Sequence, residues 1–168
     1  MAIKKQKLGP GTLTIGETGS GQEMAKQSTA VAIEPSYSDG DRQIVLSGDV
    51  DQEAAEWEGT LTATFFQDYE AAGLLAWTWE HDGETLPFTF IPNSAAGFEV
   101  SGEVVIRPAT IGGDVDAENT SEVEWSLPKK PAIGEPGTTA QAFAAQTRSQ
   151  SAAVDTEADT ESDPEYAV

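Results

Sequence analysis

The chain contains no cysteine and a single histidine. Without cysteine there is no disulfide framework and no thiolate metal site. A Ser-His-Asp arrangement would have to be built on His81, which falls in an expected turn, His81-Asp82-Gly83. Long apolar runs are missing too. None approaches the roughly 20 residues that span a bilayer, and Lys4, Lys5 and Lys7 have no apolar stretch behind them. We therefore expect neither a secretory signal nor membrane insertion. Hydrophobic residues make up 38% of the 168, a low share that leaves part of the chain outside any core.

Cations are scarce: 9 Lys and Arg stand against 29 Asp and Glu, for a net charge of −20. Their distribution is uneven. Residues 1–30 carry a net +2, residues 31–130 a net −16 and residues 131–168 a net −6. A field of this sign repels phosphates and argues against sequence-specific or structural DNA binding. Two readings of the acidity stay open. One is solubility; the other is a surface past which DNA moves without sticking.

What is present is mostly a period of two. Trp57, Leu61, Ala63 and Phe65 share one face, with Glu58, Thr60, Thr62 and Thr64 on the other. Leu86, Phe88 and Phe90 fall together. Phe98, Val100, Val104 and Ile106 oppose Glu99, Ser101, Glu103 and Arg107, and Val123, Trp125 and Leu127 oppose Glu122, Glu124 and Ser126. Such alternation predicts strands with one buried and one wet face. Thr12–Ile15, Val31–Ile33 and Gln43–Leu46 are further strand candidates, and Gly16–Gly21 reads as a turn or loop. The fold expected is mainly β, a β-sandwich or partial barrel with one flanking α-helix. That helix is expected at about residues 69–80, capped by Asp68. Tyr69, Ala72, Ala76 and Trp79, with Leu75 at the edge, would form its packing stripe; Leu74 and Trp77 fall opposite, so either Trp77 already belongs to the next strand or this face meets another subunit. Three zones follow: an N-terminal arm and loop over 1–30, a sandwich core over 31–131, and an acidic low-complexity tail over 132–168 expected to be disordered or extended.

Chemistry-bearing motifs are few. Gly16–Gly21 lacks the Lys-Ser/Thr pair of a phosphate loop. Asp49, Asp51 and Glu53 alternate, as do Asp114, Asp116 and Glu118, but a helix-loop-helix calcium loop needs Gly at its sixth position and Glu at its twelfth. Those positions hold Ala54 and Thr60 in one, Asn119 and Trp125 in the other. No acid pair sits in an apolar setting that would separate two pKa values. Trp57, Trp77, Trp79 and Trp125 could stack on sugars only if exposed on one face; Trp57 and Trp125 sit on the apolar faces of their strands and Trp79 on the helix stripe, which favours core use. We expect no enzyme activity, no metal and no cofactor.

In order, Leu8-Gly9-Pro10-Gly11-Thr12-Leu13, Val45-Leu46-Ser47-Gly48-Asp49, Phe66-Gln67-Asp68, Leu86-Pro87-Phe88-Thr89-Phe90-Ile91-Pro92-Asn93, Ile111-Gly112-Gly113-Asp114-Val115 and Glu124-Trp125-Ser126-Leu127-Pro128 make the sequence resemble the major tail tube proteins of siphophages, especially those infecting actinobacteria. The resemblance covers roughly residues 8–131. Pro128-Lys129-Lys130-Pro131 departs from it, since the family usually has Gly near Lys129 or Lys130. It implies a tail-tube-protein fold, a sandwich flanked by one helix, and a structural virion protein. Subunits would form hexameric rings that stack into a tube, assembled in the host bacterial cytoplasm. Its partners would be further copies of itself, a tape-measure protein, a tail terminator and baseplate or distal tail proteins. Viral DNA would pass through the lumen without specific binding. On this basis Glu99, Glu103, Glu122 and Glu124 are lumen-facing candidates, and Leu74, Trp77, Leu13 and Ile15 inter-subunit candidates. The basic 1–30 arm is expected to dock on the adjacent ring. Two alternatives stay open: a terminator or distal-tail ring protein of the same fold, and a carbohydrate-binding β-sandwich.

Overall fold

Alternating apolar residues produce two antiparallel sheets that share one core. The computed structural model describes residue 3 and residues 5–17, 20–44 and 46–137. In chain order the strands are β1 (Thr12–Ile15), β2 (Gln22–Glu23), β3 (Ser28–Glu34), β4 (Tyr37–Ser38), β5 (Arg42–Ile44), β6 (Val50–Gln52), β7 (Glu56–Trp57) and β8 (Thr60–Phe66). Helix α1 (Leu74–Glu80) follows, then β9 (Thr85–Ile91), β10 (Glu99–Val105), β11 (Thr120–Ser126) and β12 (Ala132–Gly134). One sheet has the order β12-β10-β9-β1-β2 and the other β11-β8-β3.

Register brings the apolar side chains into rows. Leu13, Phe90 and Val100 are neighbours across the first sheet, as are Ile15, Phe88 and Gly102. In the second, Trp125, Leu61 and Ile33 align, and so do Val123, Ala63 and Val31. Most of these rows belong to a single buried cluster, with Val31 and Ile33 packed against its edge. Each large side chain so buried contributes roughly 1.5–3 kcal/mol. Gly102 is glycine because a Cβ there would press on Phe88 and Pro131.

The first sheet departs from the expected zones at both ends. β1 lies inside that sheet, between β9 and β2, so residues 12–15 are core rather than arm. Leu13 and Ile15 are fully buried within the chain, which removes them as inter-subunit candidates. Upstream, Gly9 N donates to Pro92 O, Ser94 N to Pro10 O, and Asn93 Nδ2 to the carbonyls of Lys7 and Gly9. At the other end β12 pairs with β10, so the sheet continues past residue 131. The expected disorder of the acidic tail beyond Gly137 lies outside the described residues.

The helix is shorter than the periodicity predicts. It begins at Leu74, and Asp68 caps it from a distance: Asp68 Oδ2 accepts from Leu74 N at 3.0 Å and from Gln27 Nε2 at 2.9 Å. Gly73 carries the turn between them, since a Cβ there would collide with the Asp68 carboxylate. Tyr69 therefore lies before the helix and is exposed, and Trp79 is 53% exposed rather than part of a packing stripe. The buried face is Leu74, Leu75 and Thr78. Thr78 Oγ1 donates to Leu75 O and accepts from Ala109 N, while Trp79 Nε1 donates to Ala109 O. These bonds set the helix rotation more firmly than an apolar stripe of seven residues could. Leu74 is thus a core residue and no inter-subunit candidate.

Candidate functional site

The outward face of β11-β8-β3 is a small polar grid. Register aligns Glu122 with Thr64 and Ala30, Glu124 with Thr62 and Ala32, and Ser126 with Thr60 and Glu34. The three glutamates are exposed, and no Lys or Arg stands among these positions. Threonine suits such a place: its branched Cβ favours the strand and its hydroxyl tolerates water. Glu34 joins the acidic pair although the sequence reading did not single it out. The signal was there, because Val31 and Ile33 point inward and so Ala32 and Glu34 must point outward.

Both flanking strands of this sheet, β11 and β3, have an open edge among the described residues. Open edges present unpaired backbone groups that favour addition of another strand. β3 and β11 both run antiparallel to β8, hence parallel to one another.

A long ribbon extends from the same sheet. From Ala30↔Thr64 through Tyr37↔Trp57 to Ile44↔Val50, every pair is centred on Ser47. Ladders β3·β8, β4·β7 and β5·β6 are therefore segments of one hairpin in one register. At its root Tyr37 and Trp57 meet edge to face, with centroids 5.2 Å apart. Beyond the root the described side chains are solvated, and Ile44, Leu46 and Val50 are exposed near the tip. Gly48, at φ 89°, makes the turn. Asp49 accepts from Ser47 Oγ at 2.7 Å, so this acidic residue serves the turn.

The expected lumen candidates separate into two groups. Glu122 and Glu124 lie on the exposed grid. Glu103 is half-buried on the other sheet, 3.7 Å from Lys129. Glu99 is only 3% exposed, so its assignment to a wet face is corrected. The segment after β12 turns back over it, and Gly137 N donates to Glu99 Oε2 at 2.9 Å. Glu99 Oε1 and Ser101 Oγ are buried with no partner among the described residues, an arrangement that costs about 1–3 kcal/mol per group. Phe98, expected inside, is 40% exposed. Trp77, the remaining inter-subunit candidate, is half-buried against the core and stacks on His81 at 4.6 Å.

The loop beside the grid is organised by Gln67, which the sequence reading quoted without a role. Its Nε2 approaches Ser121 Oγ at 2.9 Å and Gly112 O at 3.0 Å, and its Oε1 accepts from Gly112 N and Tyr69 OH. Ser121 Oγ in turn donates to Thr110 O at 2.6 Å. One side chain thus ties the end of β8 to the loop entering β11. Gln67→Ala should cost about 2–3 kcal/mol, from lost bonds and unsatisfied carbonyls. Urea unfolding should show a lower midpoint with an unchanged slope.

His81 Nδ1 lies 3.0 Å from Trp77 O in the helix cap. No group of three His, Asp or Glu placed to hold a metal ion occurs among the described residues. The Asp114 loop is closed by Asn119, whose Oδ1 accepts from Asp114 N and whose Nδ2 donates to Asp114 O.

No family model matches the sequence. No curated protein matches it significantly either. Among solved structures, the fold is similar to a chain in the tail of an empty gene transfer agent particle, solved by helical refinement with C6 symmetry. The TM-score is 0.53 at 17% identity, over 78% of this chain and 98% of that one. A chain in the virion of the native gene transfer agent particle gives a TM-score of 0.50 at 16% identity, over 72% and 94% respectively. At this identity the likeness establishes the fold alone: antiparallel sheets with a single short helix among the described residues, the architecture of a chain in a gene transfer agent tail.

Proposed function

We propose that this chain is the repeating subunit of a virion tail tube, a structural protein that acts by self-assembly. The observation that carries the reading is the β11-β8-β3 sheet, with both edges open among the described residues and an outward face of Thr, Ala, Ser and Glu. Rotation about a ring axis preserves strand direction. The β3 edge of one copy could then join the β11 edge of the next as a parallel pair, and repetition would close the sheet into a barrel with no free edge. The C6 symmetry of the similar gene transfer agent tail supports six copies per ring. Closed in this way, the Glu34, Glu122 and Glu124 face lines the bore and repels the phosphates of passing DNA. The projecting ribbon has the reach to meet a neighbouring ring. Tape-measure, terminator and distal tail proteins are the partners this role implies.

Negative-stain microscopy of the purified full-length chain at high concentration tests the reading. Tubes with a regular axial repeat are expected. Single rings that never stack would favour a terminator or distal-tail role instead. A monomer at every concentration would defeat both. Burial of the tryptophans weighs against the sugar-binding alternative, which needs several of them exposed on one face. Trp125 is fully buried, Trp57 and Trp77 are half-buried, and Trp79 is tied by its Nε1 to Ala109.

A further inference from the structure

At the root of the ribbon lies an apolar groove of roughly 400 Å³, lined by Tyr37, Trp57, Phe98, Pro131 and Ile133 with Lys130 among them. Phe98 and Ile133 are exposed there. A second apolar surface is the ribbon tip, where Ile44 is 68% exposed and Leu46 is fully exposed. Two unsatisfied apolar surfaces on one small chain are unusual for a monomer. The tip cannot fill the groove of its own chain. The β5·β6 ladder holds it away from the root, and at roughly 3.3 Å per residue an extended run from Tyr37 sets Leu46 up to about 30 Å off.

We propose that the ribbon tip of a second copy of this chain seats in the groove, with Ile44, Leu46 and Val50 against Tyr37, Trp57 and Ile133. Charge supports this occupant over an unrelated partner. Residues 39–53 carry Asp39, Asp41, Asp49, Asp51 and Glu53 against Arg42 alone. The groove mouth carries Lys130, one of only four cations within residues 31–130. An acidic apolar tip thus meets an apolar floor that has one lysine, Lys130, in its lining. The contact joins two different surfaces, so it is head-to-tail and propagates from copy to copy. It rests on the self-assembly reading above and supplies the receptor that the ribbon lacks there.

The absence of native cysteine gives a direct test. Full-length Leu46→Cys and Ile133→Cys chains, one bearing a small mass tag, are mixed and mildly oxidised. The mixed disulfide species should exceed that from Leu46→Cys with Val115→Cys, an exposed loop control, by about tenfold, since bridging needs close Cα approach. Adding Lys130→Glu to the Ile133→Cys chain should lower the yield, and adding Asp49→Lys to the Leu46→Cys chain should restore it. Equal yield in the control pair overturns the docking; indifference to Lys130→Glu overturns its charge pairing. The two readings fail separately. Tubes without the specific cross-link would sink the docking alone, and the cross-link without tubes or rings would sink the tube.

Discussion

Trp125→Ala should unfold the protein at temperatures the wild type tolerates. Trp125 is fully buried at the centre of β11, opposite Leu61, and its Nε1 donates to Arg107 O at 2.8 Å. Truncation opens a large cavity between the sheets and leaves a carbonyl without its donor. Core Trp→Ala changes cost about 3–5 kcal/mol, and the stranded carbonyl adds about 1 kcal/mol or more. Domains of this size hold only about 5–15 kcal/mol in total. Differential scanning calorimetry should show a loss of about 10 °C or more in Tm, at about 2–8 °C per kcal/mol. Trp125→Phe should be milder, because the ring volume is largely kept and only the N–H is lost. If both variants melt like the wild type, Trp125 is not central to the core.

The second large effect concerns the grid. Glu122→Lys with Glu124→Lys should leave folding intact, since both side chains are exposed on β11. On the tube reading, it should turn an inert wall into a DNA-binding one. Assembled tubes of the variant should retain duplex DNA at low salt, where wild-type tubes retain none. The retention should collapse with salt: a wall meeting six or more phosphates loses on the order of a thousandfold in affinity between about 50 and 200 mM. Filter binding across that range reads the effect. Variant tubes that ignore DNA at low salt would place these residues outside the bore.

Much of the fold was legible because alternation is a strong signal wherever one face is wet. β8, β9 and β11 carry the apolar sets read from the sequence, Leu61-Ala63-Phe65, Phe88-Phe90 and Val123-Trp125. The reading failed where polar residues are buried by segments distant in sequence. Glu99 alternates correctly, yet Gly137 covers it from 38 residues away. The helix failed for a related reason. Its rotation is set by Thr78 and Ala109, which meet across 31 residues, and no periodicity encodes that bond. Quoted segments also proved to be partners. Leu8–Thr12 bonds to Ile91–Ser94, and Gln67 to Gly112. A single chain shows such segments in order, but not that they touch. The ribbon was half legible: Gln43–Leu46 was read as a strand, whereas its common register with β3 and β8 is a property of pairing alone.

That common register bears on how the chain folds. Ile44 and Val50 lie only six residues apart, so the ribbon can start at the Gly48 turn and zip inward to Ala30 and Thr64 without closing a large loop. The pairing of β1 with β9 instead joins Thr12 to Ile91, about 80 residues on, and belongs to the slow, non-local part of folding. The ribbon should therefore gain amide-exchange protection before the five-stranded sheet does. A nascent chain would display the exposed apolar ribbon tip early, while its greasy interior is still assembling. Its acidity, through like-charge repulsion between newly made chains, would then act as a kinetic guard against premature clumping.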